Sequence, residues 1–431
     1  MTHFGLLCPP SPGHLNPSLI LGEVLRDRGH RVTLFTAADL VPKLANVGVE
    51  VYGVGRDRHP PGSLEASLRR LGELSRLEGV RYSVQILVEH NDIYLAELPE
   101  LAGHLGIEAW IVDQISPAGN TVAEYLGQPH VTVCNALPID REPSIPPPFT
   151  PWGYSAAPWA ILRNRLANGF VNRVVAPINR RVIQQRQMWG LPPLKHRRDF
   201  YSPLLWVRQL PPGFDFPRRE LPGWVHDVGP LQRRDRREPL GSDLPPFPFD
   251  QLDGRPLVYA SLGTLQNQIP AIFQMIADSC ADLPVQLVLS LGRADAQVAG
   301  LTLPAGAIAV PYAPQQQLID RAQLVITHAG MNATLSALSV GVPLVAVPIT
   351  NEQPGIAARI AHQGVGIRLP LKGLTVEGLR NAIATALQDN RYRDRARQFQ
   401  QTIQGAGGVE RAADLIEQAI TTRQPVLAIA P

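Results

Sequence analysis

The sequence predicts an α/β protein made of two doubly wound, Rossmann-like domains. Short apolar segments alternate with helix-like segments through the first half of the chain, and the same alternation restarts after residues 231–250. Length is the third observation. A chain of 431 residues exceeds one compact core and suggests two domains of about 200 residues each.

The first half reads as strands and helices in regular succession. Its predicted helices cover 14–28, 64–101, a stretch ending near 127, and 160–189. Its predicted strands cover 3–8, 31–36, 49–54, 109–112, 130–135, 204–207 and 224–228. Residues 138–158 interrupt the pattern with many prolines and aromatic residues, so we expect a long loop there, of the kind that often lines binding sites.

The second half repeats the pattern. Its predicted strands cover 256–260, 285–291, 307–310, 324–326 and 344–347, and a helix covers 408–423. We therefore predict an N-terminal domain at 1–235, a charged, proline-rich linker at 236–250 and a C-terminal domain at 251–407. The last helix, within 408–431, is expected to pack back on the first domain.

Composition favours a globular cytoplasmic protein. The longest apolar runs reach roughly ten residues, well short of a membrane span, and the N-terminus lacks the charged and apolar regions of a signal peptide. Cys8, Cys134 and Cys280 are widely spaced, which predicts reduced, buried cysteines and no zinc site.

The charge balance is mild, with a formal net charge of +3. Basic clusters at 197–198 and 233–237 suit a solvated face or a linker. The alternative is peripheral contact with an anionic membrane surface. No recognition module accompanies these clusters, so nucleic-acid binding has no support.

One βα turn is suited to anion binding. Residues 324–334 read LVITHAGMNAT, a short apolar strand that runs directly into a helix. Gly330 permits close approach of a ligand to the backbone, and the first N–H groups of the helix together with its dipole favour phosphate. His328, Asn332 and Thr334 add side-chain donors. The alternative is an ordinary βα turn with a capping asparagine.

A second turn follows the next strand. It contains Glu352 and Gln353, a carboxylate beside an amide, which suits paired sugar hydroxyls. Ligands of parallel α/β sheets bind beyond the carboxyl ends of the strands, where both turns lie. Phosphate at one turn and a polyol at the other predict a nucleotide-sugar site.

Four segments occur in an order that resembles the family 1 UDP-dependent glycosyltransferases. They are PSPGHLNP at 10–17, VDQISPAGNTVAEYLGQP at 112–129, SLGT at 261–264 and THAGMNATLSALSVGVPLVAVPITNEQPG at 327–355. The resemblance covers essentially the whole chain. It implies the GT-B fold, in which two Rossmann-like domains face each other across a cleft. The segments VYASLGTLQ and QPGIAARI look most like bacterial carotenoid (zeaxanthin) glucosyltransferases.

The resemblance implies a catalytic pair. His14 would be the general base that takes the proton of an acceptor hydroxyl, a role consistent with titration of histidine near neutral pH. Asp113 would fix the histidine tautomer and stabilise the imidazolium. Structural roles are the alternatives: an isolated histidine in a turn, and an aspartate that caps a helix.

The resemblance also implies a donor site. Tyr312 stands where plant members carry tryptophan against the uracil, and Gln315 would read the edge of the base. Ser336 stands where many relatives have a carboxylate that binds the ribose. The implied donor-binding residues are Gly13, Ser261, Gly263, Thr264, Tyr312, Gln315, His328, Gly330, Met331, Asn332, Ala333, Thr334, Ser336, Glu352 and Gln353.

The resemblance implies an inverting glycosyltransferase that moves a sugar, best matched by glucose, from a UDP-sugar to a hydroxyl of a hydrophobic small molecule, best matched by a carotenoid such as zeaxanthin. No Asp-x-Asp motif occurs, so neither a metal nor a separate cofactor is expected. We expect a monomer or weak oligomer.

Three alternatives remain open. The first is a transferase for soluble aglycones such as flavonoids or macrolides. The second is a sugar-nucleotide epimerase of the same fold, and the third is a non-catalytic sugar-nucleotide-binding protein. A dinucleotide-dependent dehydrogenase is excluded, because no G-x-G-x-x-G follows the first strand.

Overall fold

The computed structural model describes residues 1–74, 76–233, 246–263, 269–292, 298 and 300–428. These residues form two compact units. Unit 1 comprises Met1–Pro147, Ser155–Arg233 and the described residues from Ala406 onward. Unit 2 comprises Pro148–Tyr154 and the described residues between Arg234 and Gly405. Most of the predicted linker and most of the 233–237 basic cluster lie outside the described residues, and the predicted domain boundaries stay a prediction.

Unit 1 is organised on a parallel sheet whose described strands follow the order β3-β2-β1-β4-β5-β6-β7. Every residue of β1, β4 and β5 is buried, which is typical of parallel strands covered by helices on both faces. The strands are β1 (His3–Leu7), β2 (Arg31–Ala37), β3 (Glu50–Val54), β4 (Ala109–Asp113), β5 (His130–Cys134), β6 (Trp206–Arg208) and β7 (Val225–Asp227).

The helices of unit 1 connect these strands. Several begin with proline in the first turn, where the missing N–H costs no hydrogen bond. They are α1 (Pro12–Asp27), α2 (Ser63–Glu73), α3 (Arg76–Leu105), α4 (Pro117–Tyr125) and α5 (Pro158–Met188), with 3-10 turns at Ala38–Leu44 and Arg197–Phe200.

Unit 2 repeats the architecture with a parallel sheet of described order β10-β9-β8-β11-β12-β13. Its strands are β8 (Leu257–Ser261), β9 (Gln286–Ser290), β10 (Ile308–Val310), β11 (Leu324–Thr327), β12 (Leu344–Ala346) and β13 (Gly366–Arg368). Its helices are α6 (Pro270–Cys280), α7 (Gln315–Ile319), α8 (Met331–Ser339), α9 (Gln353–His362), α10 (Val376–Gln388) and α11 (Asn390–Ala406), with a 3-10 turn at Phe249–Gln251.

The last helix, α12 (Gly408–Thr422), belongs to unit 1 and packs on α1. Its apolar face joins the core of the first sheet. Arg28, at the end of α1, forms ion pairs with Glu410 at 2.7 Å, Asp414 at 2.7 Å and Glu417 at 2.9 Å. The burial of the apolar face of α12 and its ion pairs with Arg28 hold the helix on unit 1. An amphipathic helix packs in this way, with its apolar face on the core and its charged face outward.

The proline-rich loop divides between the units. Residues 148–154 pack within unit 2, where Arg368 donates a hydrogen bond to the Pro151 carbonyl. A Cβ at Gly355 of α9 would lie 2.1 Å from the Pro148 carbonyl oxygen, so only glycine fits there. Within the described residues, no helix combines the length and apolar character needed to cross a membrane.

Candidate active site

The predicted catalytic pair is in contact in unit 1. Asp113 is the last residue of β4 and His14 lies in the first turn of α1, so both stand at the carboxyl ends of parallel strands. The distance from His14 Nδ1 to Asp113 Oδ2 is 2.7 Å. The Asp113 side chain is fully buried, whereas 15% of the His14 side chain is exposed. A histidine that donates from Nδ1 presents its lone pair at Nε2, the arrangement a general base needs.

The backbone and one further side chain hold the Asp113 carboxylate. The Ile115 N–H donates to Asp113 Oδ1 at 3.0 Å. Asn135 Nδ2 donates to Asp113 Oδ2 at 2.8 Å and lies 2.9 Å from Ser18 Oγ. Asn135 directly follows β5, so three neighbouring strand ends supply this network. The carboxylate therefore has a fixed orientation towards His14.

Replacing Asn135 with alanine tests this positioning. We expect kcat to fall about tenfold with little change in the donor KM, because a hydrogen bond to a charged group contributes about 1.5–3 kcal/mol. The acidic limb of the kcat–pH profile should also move, since the carboxylate that faces His14 loses a donor.

Asn120→Ala is the matched control. Asn120 is also buried, and its amide donates to the Phe200 carbonyl instead of Asp113. It should leave the pH profile unchanged. Identical profiles for wild type and Asn135→Ala would contradict the positioning role.

In unit 2, three strand ends bring the predicted donor turns together. Ser261 of β8 pairs in register with Thr327 of β11, which pairs with Ala346 of β12. The segments that follow these strands begin at Leu262, His328 and Val347. The turn after β11 and the turn before α9 are therefore neighbours, as the sequence predicts for a ligand site at this edge.

His328 is fitted between two glycines. A Cβ at Gly263 would lie 2.7 Å from His328 Nε2, and one at Gly330 would lie 2.5 Å from the same atom. Gly263 also has φ of +79°, which favours glycine. The buried Nδ1 of His328 has no hydrogen-bond partner among the described residues. Such an unsatisfied polar atom beside a helix start favours a polar ligand here.

Replacing Gly330 with alanine should displace the His328 ring. We expect UDP to bind about 10- to 100-fold more weakly, the equivalent of one charge-assisted hydrogen bond or somewhat more. Calorimetric titration with UDP measures this. Gly405→Ala is the control, because a Cβ there meets no atom within 4 Å. Equal UDP affinity for wild type and Gly330→Ala would contradict the assignment of this turn to the donor.

Three buried histidines make the fold sensitive to acid. Burial lowers the pKa of His130 and His328 to about 4, and burial together with the His59 charge lowers the pKa of His90 to about 4. Each group binds a proton more readily when unfolded, with a pKa near 6.5. Its stability contribution is therefore complete above pH 6.5 and is lost as pH falls towards 4.

We expect roughly 2 kcal/mol of lost unfolding free energy per histidine between pH 7.5 and pH 5, from the linkage relation. Urea unfolding at the two pH values measures the loss, and His130→Gln should reduce it. Unchanged stability across this range would contradict the expectation.

The first turn of α8 presents backbone donors. Its first backbone hydrogen bond runs from the Thr334 N–H to the Gly330 carbonyl at 3.0 Å. The Thr334 hydroxyl also donates to that carbonyl, at 2.9 Å, so its hydrogen is engaged inside the helix. The first N–H groups of a helix generally have no acceptor within that helix. Backbone groups and His328 are thus the donors that this turn offers a phosphate.

Both turns store backbone strain. Ala329 has φ of +65° and Asn351 has φ of +51°, and only Arg423 shares this conformation among the described non-glycine residues. Such residues cost about 1–3 kcal/mol each and cluster at functional sites. At the second turn, Gln353 Oε1 accepts from the N–H groups of Ile349 and Thr350 at 2.8 and 2.9 Å. The Gln353 amide nitrogen remains as the donor on this side chain.

The remaining predicted residues have varied surroundings. Tyr312 is half-buried after β10, and Gln315 begins α7. Glu352 is half-buried at the start of α9. Gly13 is the second residue of α1, in unit 1. The predicted residues of α8 that are buried are Met331, Ala333, Thr334 and Ser336.

Asn332 is half-buried on α8, and Thr264 lies outside the described residues. Within the described part of the chain, no group of three or more His, Cys, Asp or Glu residues is placed to hold a metal ion.

Comparisons with known proteins agree with this architecture. The model of the family "UDP-glucoronosyl and UDP-glucosyl transferase" matches residues 105–403. Zeaxanthin glucosyltransferase of Pantoea ananas is 34% identical over 429 residues, covering 99% of this chain and 98% of that protein. The zeaxanthin glucosyltransferase of Pseudescherichia vulneris is 33% identical over 429 residues, covering 99% and 100%.

Solved structures show the same fold. The calicheamicin glycosyltransferase CalG4 superposes with a TM-score of 0.73 at 23% identity, covering 99% of this chain and 100% of that one. Two parallel sheets with covering helices confirm the predicted pair of Rossmann-like domains. The chain therefore belongs to the UDP-glucoronosyl and UDP-glucosyl transferase family, the family 1 glycosyltransferases of GT-B fold, and is a UDP-dependent glycosyltransferase.

Proposed function

We propose that this enzyme transfers glucose from UDP-glucose to a hydroxyl of a carotenoid such as zeaxanthin, with inversion at the anomeric carbon. The proposed identity of the acceptor rests on similarity along the full chain to two zeaxanthin glucosyltransferases, at 34% and 33% identity. The contact between His14 and Asp113 supports the chemistry.

In the proposed reaction, His14 acts as the general base. Its Nε2 takes the proton of the acceptor hydroxyl as that oxygen bonds to the anomeric carbon. The bond between this carbon and the diphosphate oxygen breaks, and UDP leaves with the electron pair. Asp113 holds the imidazole and stabilises its positive charge. A single displacement inverts the configuration of the anomeric carbon, so an α-linked donor should give a β-glycoside.

The donor half of the proposal rests on unit 2. The first turn of α8 would bind the diphosphate through backbone N–H groups and the helix dipole. His328 would add one side-chain contact. Burial lowers the pKa of this ring to about 4, so without a ligand it is neutral near pH 7, and it would contact the phosphate through a ring N–H.

The sugar and base contacts follow from the neighbouring turns. Glu352 offers a carboxylate acceptor, and Gln353 offers its amide N–H groups because its oxygen is engaged by the backbone. A donor beside an acceptor suits adjacent hydroxyls of a hexose. Tyr312 would stack on the uracil, with Gln315 at the edge of the base.

We propose that the leaving diphosphate is stabilised without a metal ion or separate cofactor. The helix start and the neutral His328 supply oriented donors where negative charge develops. A UDP-sugar is then a co-substrate. Adding a chelator to the assay should leave the rate unchanged.

An acceptor panel tests the proposed function. Purified enzyme receives UDP-glucose with zeaxanthin in detergent, a flavonol or a macrolide, and product mass and UDP release are recorded. β-Carotene, which has the same polyene body without hydroxyls, is the matched negative acceptor. The proposal predicts hexosylated zeaxanthin and no product from β-carotene.

The other outcomes separate the alternatives. Products from the flavonol or macrolide alone would identify a transferase for soluble aglycones and discard the carotenoid. Tight UDP binding with no transfer to any acceptor would favour a non-catalytic sugar-nucleotide-binding protein. Replacing UDP-glucose by UDP-glucuronate or UDP-galactose in the productive reaction tests the sugar.

A further inference from the structure

The first half of α5 carries a row of large apolar side chains that face solvent. Trp159, Leu162, Leu166 and Phe170 are 57–68% exposed. Their spacing of three, four and four residues places them on one face over three helical turns. We call these four residues the α5 stripe.

The packed face of α5 lies on the opposite side of the helix. Ala160, Asn164, Ile178 and Val182 are buried, and each lies about 100–140° around the axis from Trp159 at the usual 100° per residue. The helix is thus already docked by one face, and the α5 stripe is a second apolar surface. Isolated exposed apolar residues are ordinary, but a contiguous row usually marks an interaction site.

All charged residues of α5 are positive. The helix contains six arginines and no aspartate, glutamate or lysine. Two of the arginines pair with neighbouring helices, Arg186 with Glu124 at 2.7 Å and Arg181 with Asp92 at 3.6 Å. The surface near the α5 stripe is therefore basic.

Three arginines border the stripe. The Arg163 guanidinium lies 5.2 Å from the centre of the Trp159 ring. Arg165 is exposed on one side of the stripe, and Arg173 is exposed one turn beyond Phe170. Aromatic and aliphatic side chains flanked by arginines are the composition of helices that lie in a membrane interface.

We propose that the α5 stripe docks the enzyme on an anionic lipid bilayer, with its apolar side chains at the boundary of headgroups and acyl chains and the bordering arginines on lipid phosphates. A second copy of the chain fits less well. A two-fold contact through this face would set α5 against α5 and bring two basic surfaces together. The inference does not depend on which acceptor the enzyme uses.

Flotation of the full-length enzyme with lipid vesicles tests the proposal. One vesicle set contains equal parts of phosphatidylglycerol and phosphatidylcholine, and the other contains phosphatidylcholine alone. We expect binding to the anionic set that weakens with added salt. Replacing Arg163, Arg165 and Arg173 with glutamine should weaken it about 100-fold, from about fivefold per arginine.

The apolar contribution is tested separately. Leu162→Ser, Leu166→Ser and Phe170→Ser combined should reduce binding at least about tenfold, since these apolar side chains would no longer be buried at the boundary of headgroups and acyl chains. These side chains face solvent, so thermal unfolding should stay near that of wild type. Leu427→Ser, with a side chain that is 64% exposed, and Arg391→Gln on α11 are the matched controls and should bind like wild type.

Several outcomes would overturn the proposal. One is that the wild-type enzyme does not bind anionic vesicles, and another is that it binds both vesicle sets equally. A third is that the combined serine variant binds as wild type does. Sedimentation showing a wild-type dimer that the serine variants dissociate, without vesicle binding, would assign the α5 stripe to a second copy instead.

Discussion

The His14→Ala substitution is expected to lower kcat by about 10²–10⁴-fold, the contribution typical of a positioned general base. The acceptor hydroxyl would then lose its proton to water alone. A general base acts on the acceptor hydroxyl, so UDP affinity should change little. Steady-state kinetics with the best acceptor of the panel, together with UDP titration, measure both quantities.

His104→Ala is the matched control, because the His104 side chain is 70% exposed near the end of α3. Asp113→Asn should also lower kcat, since an amide at this position favours the wrong tautomer of His14. More than one-tenth of wild-type kcat in His14→Ala would contradict the role of this histidine as the base.

Arg208→Met is expected to cost unit 1 about 3–5 kcal/mol of stability, because it removes the buried ion-pair partner of Asp227 and leaves Asp215 with Arg218 alone. Arg208 is buried at the end of β6. It donates to both oxygens of Asp227, at 2.6 and 2.7 Å, and lies 3.7 Å from Asp215. Although burial opposes it, the charge of these carboxylates raises the pKa of Arg208 above its usual value.

The same network extends to the start of the proline-rich loop. Arg218 donates to Asp215 at 2.6 Å and to Asp140 at 2.9 Å. Urea unfolding of Arg208→Met followed by circular dichroism measures the loss. Arg391→Gln removes the solvent-exposed partner of Asp389 and should leave stability close to that of wild type. A loss below 1 kcal/mol for Arg208→Met would contradict the structural role of the network.

The alternation of strands and helices is predictable from sequence because parallel strands are buried on both faces. Strands β1, β4 and β5 are short apolar runs, and the structure places them within one or two residues of the predicted bounds. The three-residue β13 and the helices α10 and α11 escaped prediction. The segment 365–370 reads VGIRLP, in which a glycine and an arginine interrupt the apolar run, and β13 is fixed by pairing with β12.

The sequence indicated both halves of the candidate site through residues that stand at strand ends. His14, Asp113 and the 328–334 turn follow apolar runs, where a polar residue is conspicuous. Asn135 follows one too, but its partner Asp113 lies 22 residues earlier, and nothing local joins them. The fit of His328 between Gly263 and Gly330 likewise depends on the pairing of β8 with β11.

Hydrogen bonds between a side chain and the backbone of its own helix also limit what can be predicted from sequence. Thr334 was expected to offer its hydroxyl to a ligand, yet that hydroxyl donates to the Gly330 carbonyl one turn earlier. Short polar side chains compete for neighbouring backbone groups, and the outcome depends on local geometry that residue types do not determine. The division of the proline-rich loop between two units is similarly set by packing of Pro148 on Gly355.

The anomeric configuration of the product tests the central claim most directly. Wild-type enzyme is incubated with UDP-α-glucose and the best acceptor of the panel, and the anomeric proton coupling of the purified glycoside is measured by NMR. Direct displacement by a hydroxyl that His14 deprotonates predicts the large coupling of a β-glucoside. The small coupling of an α-glucoside would contradict a single displacement and with it the assignment of His14 as the base.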